Sequence, residues 1–262
     1  MKMIMPAIEN IKPLQKRLLE NAKIISKILE DADIPHCIAF GSLLGSVRHS
    51  GFIPWDDDFD FFIDEDFYEK ATDILLNKLP EYLFLHGNFN DEMVFTDWNC
   101  IRDLRVPVVE RQIYNIDNYI HNYKFLNIDL YKLRNLKNKY VGDYMFTKEM
   151  QFYERKIKVG ILSSKDALTF LKNKSDDYYN LFENKGDKSD GETDVCMCCI
   201  GLKQALLKEH LFPLVKGYFL DDENFWGPLN SDAVLSELYG DYMKLPPAER
   251  RIGHFSSFEI LR

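Results

Sequence analysis

Phe40-Gly41-Ser42-Leu43-Leu44-Gly45-Ser46-Val47-Arg48-His49-Ser50-Gly51-Phe52-Ile53-Pro54-Trp55-Asp56-Asp57-Asp58-Phe59-Asp60-Phe61-Phe62-Ile63-Asp64 is the stretch that decides how this chain is built. The run Cys37 to Phe40 is short and apolar and stops at Gly41-Ser42. Leu43, Leu44 and Val47 then recur at helical spacing, which predicts a strand, a tight turn and a helix start. A helix opening on Gly-Ser offers backbone N–H groups and a hydroxyl to an anion, so Gly41 and Ser42 are candidate phosphate contacts. Arg48 and His49, one or two turns later, are further candidates. Pro54 lacks an N–H donor and restricts the residue before it, so the chain turns there and starts a second strand.

Side chains alternate along that strand, placing Asp58, Asp60 and Phe62 on one face and Phe59, Phe61 and Ile63 on the other. Two carboxylates on one face repel each other unless a cation sits between them, and hard oxygen ligands suit Mg²⁺ or Mn²⁺. Asp57 has the wrong parity and Asp56 precedes the strand, so both are expected to serve the turn, a cap or the support behind the ligands. Asp64 to Asp66 reads as a solvated acidic edge, whereas Asp58 and Asp60 are interleaved with large apolar residues. A calcium loop of the EF-hand type is excluded: counted from Asp56, Phe61 and Phe67 stand where Gly and Glu are required.

The order Gly-Ser, Leu-Leu-Gly-x-Val-Arg-His, Gly-Phe-Ile-Pro-Trp-Asp-Asp-Asp-x-Asp resembles the LicD family of phosphotransferases, related to the fukutin group and to the wider nucleotidyltransferase fold. The spacing is long and fixed. Trp226-Gly-Pro, Leu238-Tyr-Gly-Asp-Tyr and Leu245-Pro-Pro extend the resemblance, so that it covers Cys37 to His254 and is thinnest between about 135 and 205. It implies an α+β fold with a nucleotidyltransferase-type mixed sheet flanked by helices. We expect one domain over 1–262, with a catalytic core at about 10–135 and a helix-rich C-terminal part at about 136–262.

Composition agrees with a single sizeable core: 262 residues, 46% of them hydrophobic. A net charge of -9 argues against a nucleic-acid partner, whose phosphates call for a basic face. No run of about 18 apolar residues offers to span a bilayer, and the charged N-terminus does not read as a signal peptide. A cytoplasmic location follows as the expectation, with contact to the inner face of the membrane through a membrane-borne acceptor. Five cysteines with no paired C-x-x-C spacing suit a reducing compartment. Cys196-x-Cys198-Cys199 invites a zinc reading, but Val195, Met197 and Ile200 around it read as a buried strand, which favours core cysteines.

Asn10 to Asp31 carries Ile11, Leu14, Leu18, Ala22, Ile25 and Leu29 at spacings of three and four, an amphipathic helix broken at Asp33-Ile34-Pro35. Phe67 to Leu79 reads as a helix closed by Pro80, and Tyr82 to Leu85 as a strand ended by Gly87. Trp98 to Val106 is a further expected strand, in which Arg102 and Asp103 read by themselves as a surface ion pair of little worth. The family resemblance places such a basic-acidic pair near the donor site. Phe125 to Tyr131 alternates again, with Asn127, Asp129 and Tyr131 on one face. A lone buried Asp needs a partner. That partner is either a nearby Arg or Lys or the cation held by Asp58 and Asp60, and the nucleotidyltransferase pattern of paired acids followed by one acid on a neighbouring strand matches Asp129.

Farther on, helices are expected over Tyr144 to Lys158 and Ser164 to Glu183, then a polar loop from Asn184 to Asp194, a hairpin from Tyr218 to Trp226, and a helix after Pro228. His254, among Arg250 and Arg251, reads as a surface basic turn able to reach a phosphate. The family resemblance implies the transfer of phosphocholine, or a related phospho-alcohol, from a CDP-linked donor such as CDP-choline to a sugar hydroxyl of a glycan or glycolipid. Such chemistry belongs to lipopolysaccharide or teichoic acid biosynthesis and releases CMP. Two divalent ions clamping the oxygens of an in-line displacement would then be held by Asp58, Asp60 and Asp129. Two readings stay open beside it: a D-x-D glycosyltransferase using a nucleotide-sugar, and a ribitol or glycerol phosphate transferase of the same fold.

Overall fold

The computed structural model describes residues 10–87, 89–91, 98–110, 124–136, 166, 195–197, 206–220 and 223–261. Helix α1 (Lys12–Glu30) takes Pro13 in its first turn, where a missing N–H does no harm. It buries Leu14, Leu18, Ala22, Ile25 and Leu29 as one stripe. The helix is followed by Asp33 at φ 54°, after which Ile34-Pro35 leads into β1 (His36–Ile38). Helix α2 (Phe40–His49), strand β2 (Phe59–Asp64) and helix α3 (Glu65–Lys78) follow. Asp64 is less a solvated edge than a cap: its carboxylate accepts from the Asp66 N–H at 3.0 Å.

Strands β3 (Leu83–His86), β4 (Asn99–Glu110) and β5 (Phe125–Leu136) complete the central layer. The second half adds β6 (Val195–Met197), β7 (Leu206–Leu207), α4 (Lys208–Leu211), the hairpin β8 (Leu214–Leu220) with β9 (Glu223–Pro228), α5 (Ser231–Tyr239) and β10 (Phe255–Phe258). The helix-rich C-terminal half expected from the sequence is not seen among the described residues, where strand residues outnumber helical ones. The helices expected over 144–158 and 164–183 and the loop 184–194 lie outside those residues, apart from Asp166. Cys196 is buried in β6 as a core residue, while Cys198 and Cys199 fall outside. No helix among the described residues is long and apolar enough to cross a membrane.

The sheet is mixed and runs β1-β2-β5-β4-β10, with β3 paired to β4, β6 to β5 and β7 to β6. Only β2 and β5 are parallel among its described pairs, in a register that sets Phe59 against Ile128 and Asp60 against Asp129. Parity then sorts the two faces. Phe59, Phe61, Ile101, Leu126, Ile128 and Leu130 share one face and are buried. Helix α1 reaches that face through Asn21 on Asp103, α3 through Thr72 on Asn99, and β9 through Phe225 against Phe59 and Phe61. Asp60, Phe62, Cys100, Arg102, Asn127, Asp129 and Tyr131 share the other face. Its far end is covered by the Phe40 ring, 4.9 Å from both Phe62 and Tyr131.

Candidate active site

The acids gather where β2 begins. Asp60 is the second residue of β2 and Asp129 is its register partner on β5, so the two carboxyls rise side by side from parallel strands. Asp58 and Asp56 come from the loop just before β2. The Asp56 side chain lies against the start of α2, so close that a Cβ on Gly41 would stand 2.7 Å from its Oδ2. Gly41 is therefore required for an acid to sit there. Among the described residues the group at this helix N-terminus is the protein's own carboxyl.

The electrostatics are those of crowded like charges. Burial, reinforced by Asp58, Asp129 and Asp56, pushes the Asp60 carboxyl well above the ordinary range. Asp56 is raised in the same way, by burial first and then by Asp58. Burial also raises Asp129, but there the Cys100 thiol and the Arg102 guanidinium pull it back. Cys100 Sγ donates to one Asp129 oxygen at 2.7 Å and Asn127 Nδ2 to the other at 3.1 Å, so the carboxyl is oriented from both sides.

A divalent cation fits this donor set in its chemistry, since it would offset the burial and the like-charge repulsion that raise Asp56, Asp60 and Asp129, and these three and Asp58 are hard oxygen donors. The described residues do not bring three His, Cys, Asp or Glu side chains into a ready metal-binding group. Asp58 leans instead toward His254, whose Nδ1 stands 3.1 Å from Asp58 Oδ2 and 3.1 Å from Asp57 Oδ1. The imidazole is held well above its ordinary range by its hydrogen bonds to Asp57 and Asp58.

Two clamps hold the acid loop. Gln15 of α1, itself buried, donates Nε2 to the carbonyls of Ile53 at 3.0 Å and Asp56 at 2.9 Å. Asp57, 0% exposed, accepts the backbone N–H of His254 and that of Phe255, each at 2.7 Å. A Cβ on Gly253 would fall 2.2 Å from Asp57 Oδ2, so glycine is needed for the C-terminal segment to close on this carboxylate. The support role expected of Asp57 is thus a tether to β10.

The remaining candidates are placed less directly. Ser42 is buried, and its hydroxyl accepts the Asp60 backbone N–H at 3.0 Å, so it fixes the strand beside the acid. Arg48 and His49 lie in the last turn of α2, away from Gly41. The Arg48 guanidinium donates to His49 Nε2 at 3.0 Å and to the Tyr242 carbonyl at 2.6 Å, fastening the segment after α5. Arg102 and Asp103 do not form the surface pair expected of them, because neighbouring strand residues point to opposite faces. Asp103 turns under the sheet, where Arg105 holds it through two side-chain contacts and Asn21 through one, and these bonds outweigh burial to lower its carboxyl. Arg102 stays on the acid face, 2% exposed, and lowers Asp129.

Sequence reasoning missed two participants, Cys100 and Gln15, and gave two others lesser places: Asp56 as a turn, cap or support, and His254 as a surface basic turn. Parity within a strand cannot place Asp56, which lies before it. Cys100 would follow from its pairing opposite Asp129, but that register is tertiary. His254 lies 197 residues from Asp57, and its one sequence signal was the basic turn around it.

With the geometry in place, comparison with known proteins is direct. Residues 33–159 match the family model described as the LicD/FKTN/FKRP nucleotidyltransferase domain, and they contain Gly41, Asp58, Asp60, Arg102 and Asp129. The chain is also 23% identical, over 241 residues, to the lipopolysaccharide cholinephosphotransferase LicD of Haemophilus influenzae, covering 87% of this chain and 89% of that protein.

Proposed function

Because this chain carries a LicD-family nucleotidyltransferase domain, we propose that it is a metal-dependent phosphotransferase that moves a phospho-alcohol, phosphocholine first among them, from a CDP-linked donor to a glycan hydroxyl. The observation that carries the reading is the meeting of Asp60 and Asp129 on parallel strands, with Asp56 and Asp58 beside them. Such a concentration of carboxyls at one strand end, with Asp56, Asp60 and Asp129 raised, is destabilising by itself and becomes useful when a cation and a diphosphate arrive together. The name of the similar Haemophilus protein supports the choline phosphate and a lipopolysaccharide-type acceptor.

Asp58, Asp60 and Asp129 would hold Mg²⁺ or Mn²⁺, which when bound supplies charge neutralisation on the donor's phosphates. The acceptor oxygen forms a bond to the phosphorus distal to the nucleoside. The bridging P–O bond breaks, and CMP leaves with the electron pair. The hydroxyl proton passes to Asp129, whose carboxyl burial makes more basic and whose orientation Cys100 and Asn127 fix. Ser42 keeps Asp60 in place through its backbone. Gln15 and the Asp57 tether hold the loop carrying Asp56 and Asp58, so that positioning, the main requirement of phosphoryl transfer, is built in before any ligand binds.

The test is to incubate the protein with Mg²⁺, a lipopolysaccharide or lipid-linked glycan, and in parallel CDP-choline, CDP-ribitol, CDP-glycerol, UDP-sugars and GDP-sugars, measuring nucleotide release. Release of CMP from a CDP-alcohol, with label passing to the glycan, is expected. Release of UDP or GDP with sugar transfer, and no CMP, would replace this reading with a glycosyltransferase.

A further inference from the structure

Exposed large hydrophobic side chains cluster in one segment of the chain. Of the ten among the described residues, four fall between the end of α5 and β10: Tyr239, 44% exposed, Met243, 58%, Leu245, 42%, and Ile252, 39%. Single exposed apolar residues are ordinary, whereas a cluster of them marks a contact surface. The segment is also braced. Arg48 donates to the Tyr242 carbonyl at 2.6 Å, and the Tyr242 hydroxyl donates to Asp232 at 2.7 Å. Arg251 Nε donates to the Pro246 carbonyl at 2.9 Å, closing a loop with Leu245 and Ile252 on either side of that bond. The Arg251 guanidinium lies over the Trp55 ring, 5.6 Å from its centroid, and Asp57 holds the far end through the His254 and Phe255 N–H groups. The apolar side chains are thus held toward water by a loop fixed at both ends, and the entropy of ordering it is already lost before any contact is made.

The charges around this cluster run against those of the chain. The whole protein carries -9, yet Arg48, Lys244, Arg250 and Arg251 stand here against Glu249 and, at the border, Asp241. None of these four cations pairs with a carboxylate among the described residues. Elsewhere on the surface Arg17, Lys23, Lys27, Lys132 and Lys216 each do. The order Met243-Lys244-Leu245 and Arg251-Ile252 interleaves cations with apolar side chains. The core of a protein–protein contact is depleted of lysine, so this interleaving suits it poorly. It suits a bilayer surface, where Lys and Arg reach the lipid phosphates while their apolar neighbours enter the acyl boundary.

We propose that the loop Met243 to Ile252 is a membrane-docking surface that seats on anionic phospholipid, with Met243, Leu245 and Ile252 entering the headgroup layer and Lys244, Arg250 and Arg251 meeting the phosphates. Ile252 is two residues from His254, whose ring touches Asp58, so at most about 7 Å of backbone separates the docking loop from the segment that closes the acid cluster. Docking is a property of this surface and does not depend on the donor. Its consequence, that the acids face a hydroxyl borne on a membrane lipid, rests on the proposed glycan-acceptor reading.

The experiment is co-sedimentation of the full chain, in EDTA and without donor or acceptor, with vesicles of phosphatidylcholine alone and of equal parts phosphatidylcholine and phosphatidylglycerol. EDTA removes cations that could bridge the acid cluster to lipid phosphates. The chain is expected to bind the anionic vesicles, and more weakly at high salt. The triple variant Met243→Ser, Leu245→Ser, Ile252→Ser should lose at least about tenfold in affinity for the anionic vesicles. The double variant Lys244→Gln, Arg250→Gln should lose about ten- to thirtyfold on the same vesicles, while any binding to phosphatidylcholine alone is unchanged. Far-UV circular dichroism and melting of each variant check the fold, and the double variant decides the matter if the triple variant misfolds. A wild-type chain that stays in solution with anionic vesicles overturns the inference, as does unaltered binding by a folded variant of either kind. A lipid-free dimer that the triple variant dissolves would give the surface to a second copy and overturn it too. CMP release from CDP-choline in a chain that ignores vesicles would leave the phosphotransferase reading standing alone; vesicle binding without CMP release would do the opposite.

Discussion

Replacing Asp57 with Asn changes one oxygen for an NH₂ and should loosen the C-terminal half of the site. Asp57 is fully buried and accepts two backbone N–H groups at 2.7 Å, one on each oxygen. In the amide one oxygen still accepts, but the nitrogen faces an N–H that it cannot satisfy. A buried unpaired donor costs about 1–3 kcal/mol, and the surviving bond loses its charge assistance, worth about 1 kcal/mol more. Relief of repulsion among neighbouring acids offsets part of this, leaving a net loss of about 1–3 kcal/mol. At about 2–4 °C per kcal/mol for a chain of this size, the melting temperature should fall by about 2–12 °C. The assay is urea-induced unfolding in EDTA at neutral pH, followed by tryptophan fluorescence. Gly253→Ala should be similarly destabilising, because its Cβ collides with Asp57. In an Asp57→Ala background the same glycine change should be nearly silent, the struck atoms being gone. A loss under about 0.5 kcal/mol for Asp57→Asn, within the scatter of ordinary surface substitutions, would refute the tether. So would a Gly253→Ala cost that is independent of residue 57.

Asp60→Asn should stabilise the protein in EDTA while abolishing transfer. The folded Asp60 carboxyl is raised above its ordinary 3.8, so between that pH and the folded value the native state keeps a proton that the unfolded chain has lost. Stability therefore falls as pH rises through this window, and the advantage of the Asn variant should be absent below about pH 3.8 and present at neutral pH; a pH-independent difference in unfolding free energy would contradict the crowding. Asp129→Asn should lower turnover by about 10²–10⁴, as removal of a general base does. Its effect on Mg²⁺-diphosphate affinity, read by calorimetry, should be smaller than that of Asp58→Asn, and near-normal turnover would make Asp129 structural.

Much of the fold was legible because its signals are local. The stripe Leu14, Leu18, Ala22, Ile25 and Leu29 defines α1 at a spacing only a helix buries on one side. Pro35, Pro54 and Pro80 mark breaks that any backbone must respect. The alternation of Asp58, Asp60 and Phe62 with Phe59, Phe61 and Ile63 predicted an acid at the edge of an apolar strand, and β2 carries it there. The same reasoning faltered with Arg102 and Asp103. Their adjacency in sequence suggested a pair, although adjacency in a strand separates side chains onto opposite faces.

The sequence by itself determined that acidic side chains would stand on a short, buried strand behind a glycine-led helix, because alternation and helix periodicity act over a few residues. Only the tertiary structure decided which partners those acids meet. The parallel register that sets Asp60 beside Asp129, the Cys100 thiol opposite it, and the closure of Gly253 to Phe255 on Asp57 all depend on chain segments tens to nearly two hundred residues apart. Their juxtaposition is chosen by burial of the whole sheet, and an Asp or a His carries the same local pattern whether it ends on the open face, under the helices or at the mouth of the site.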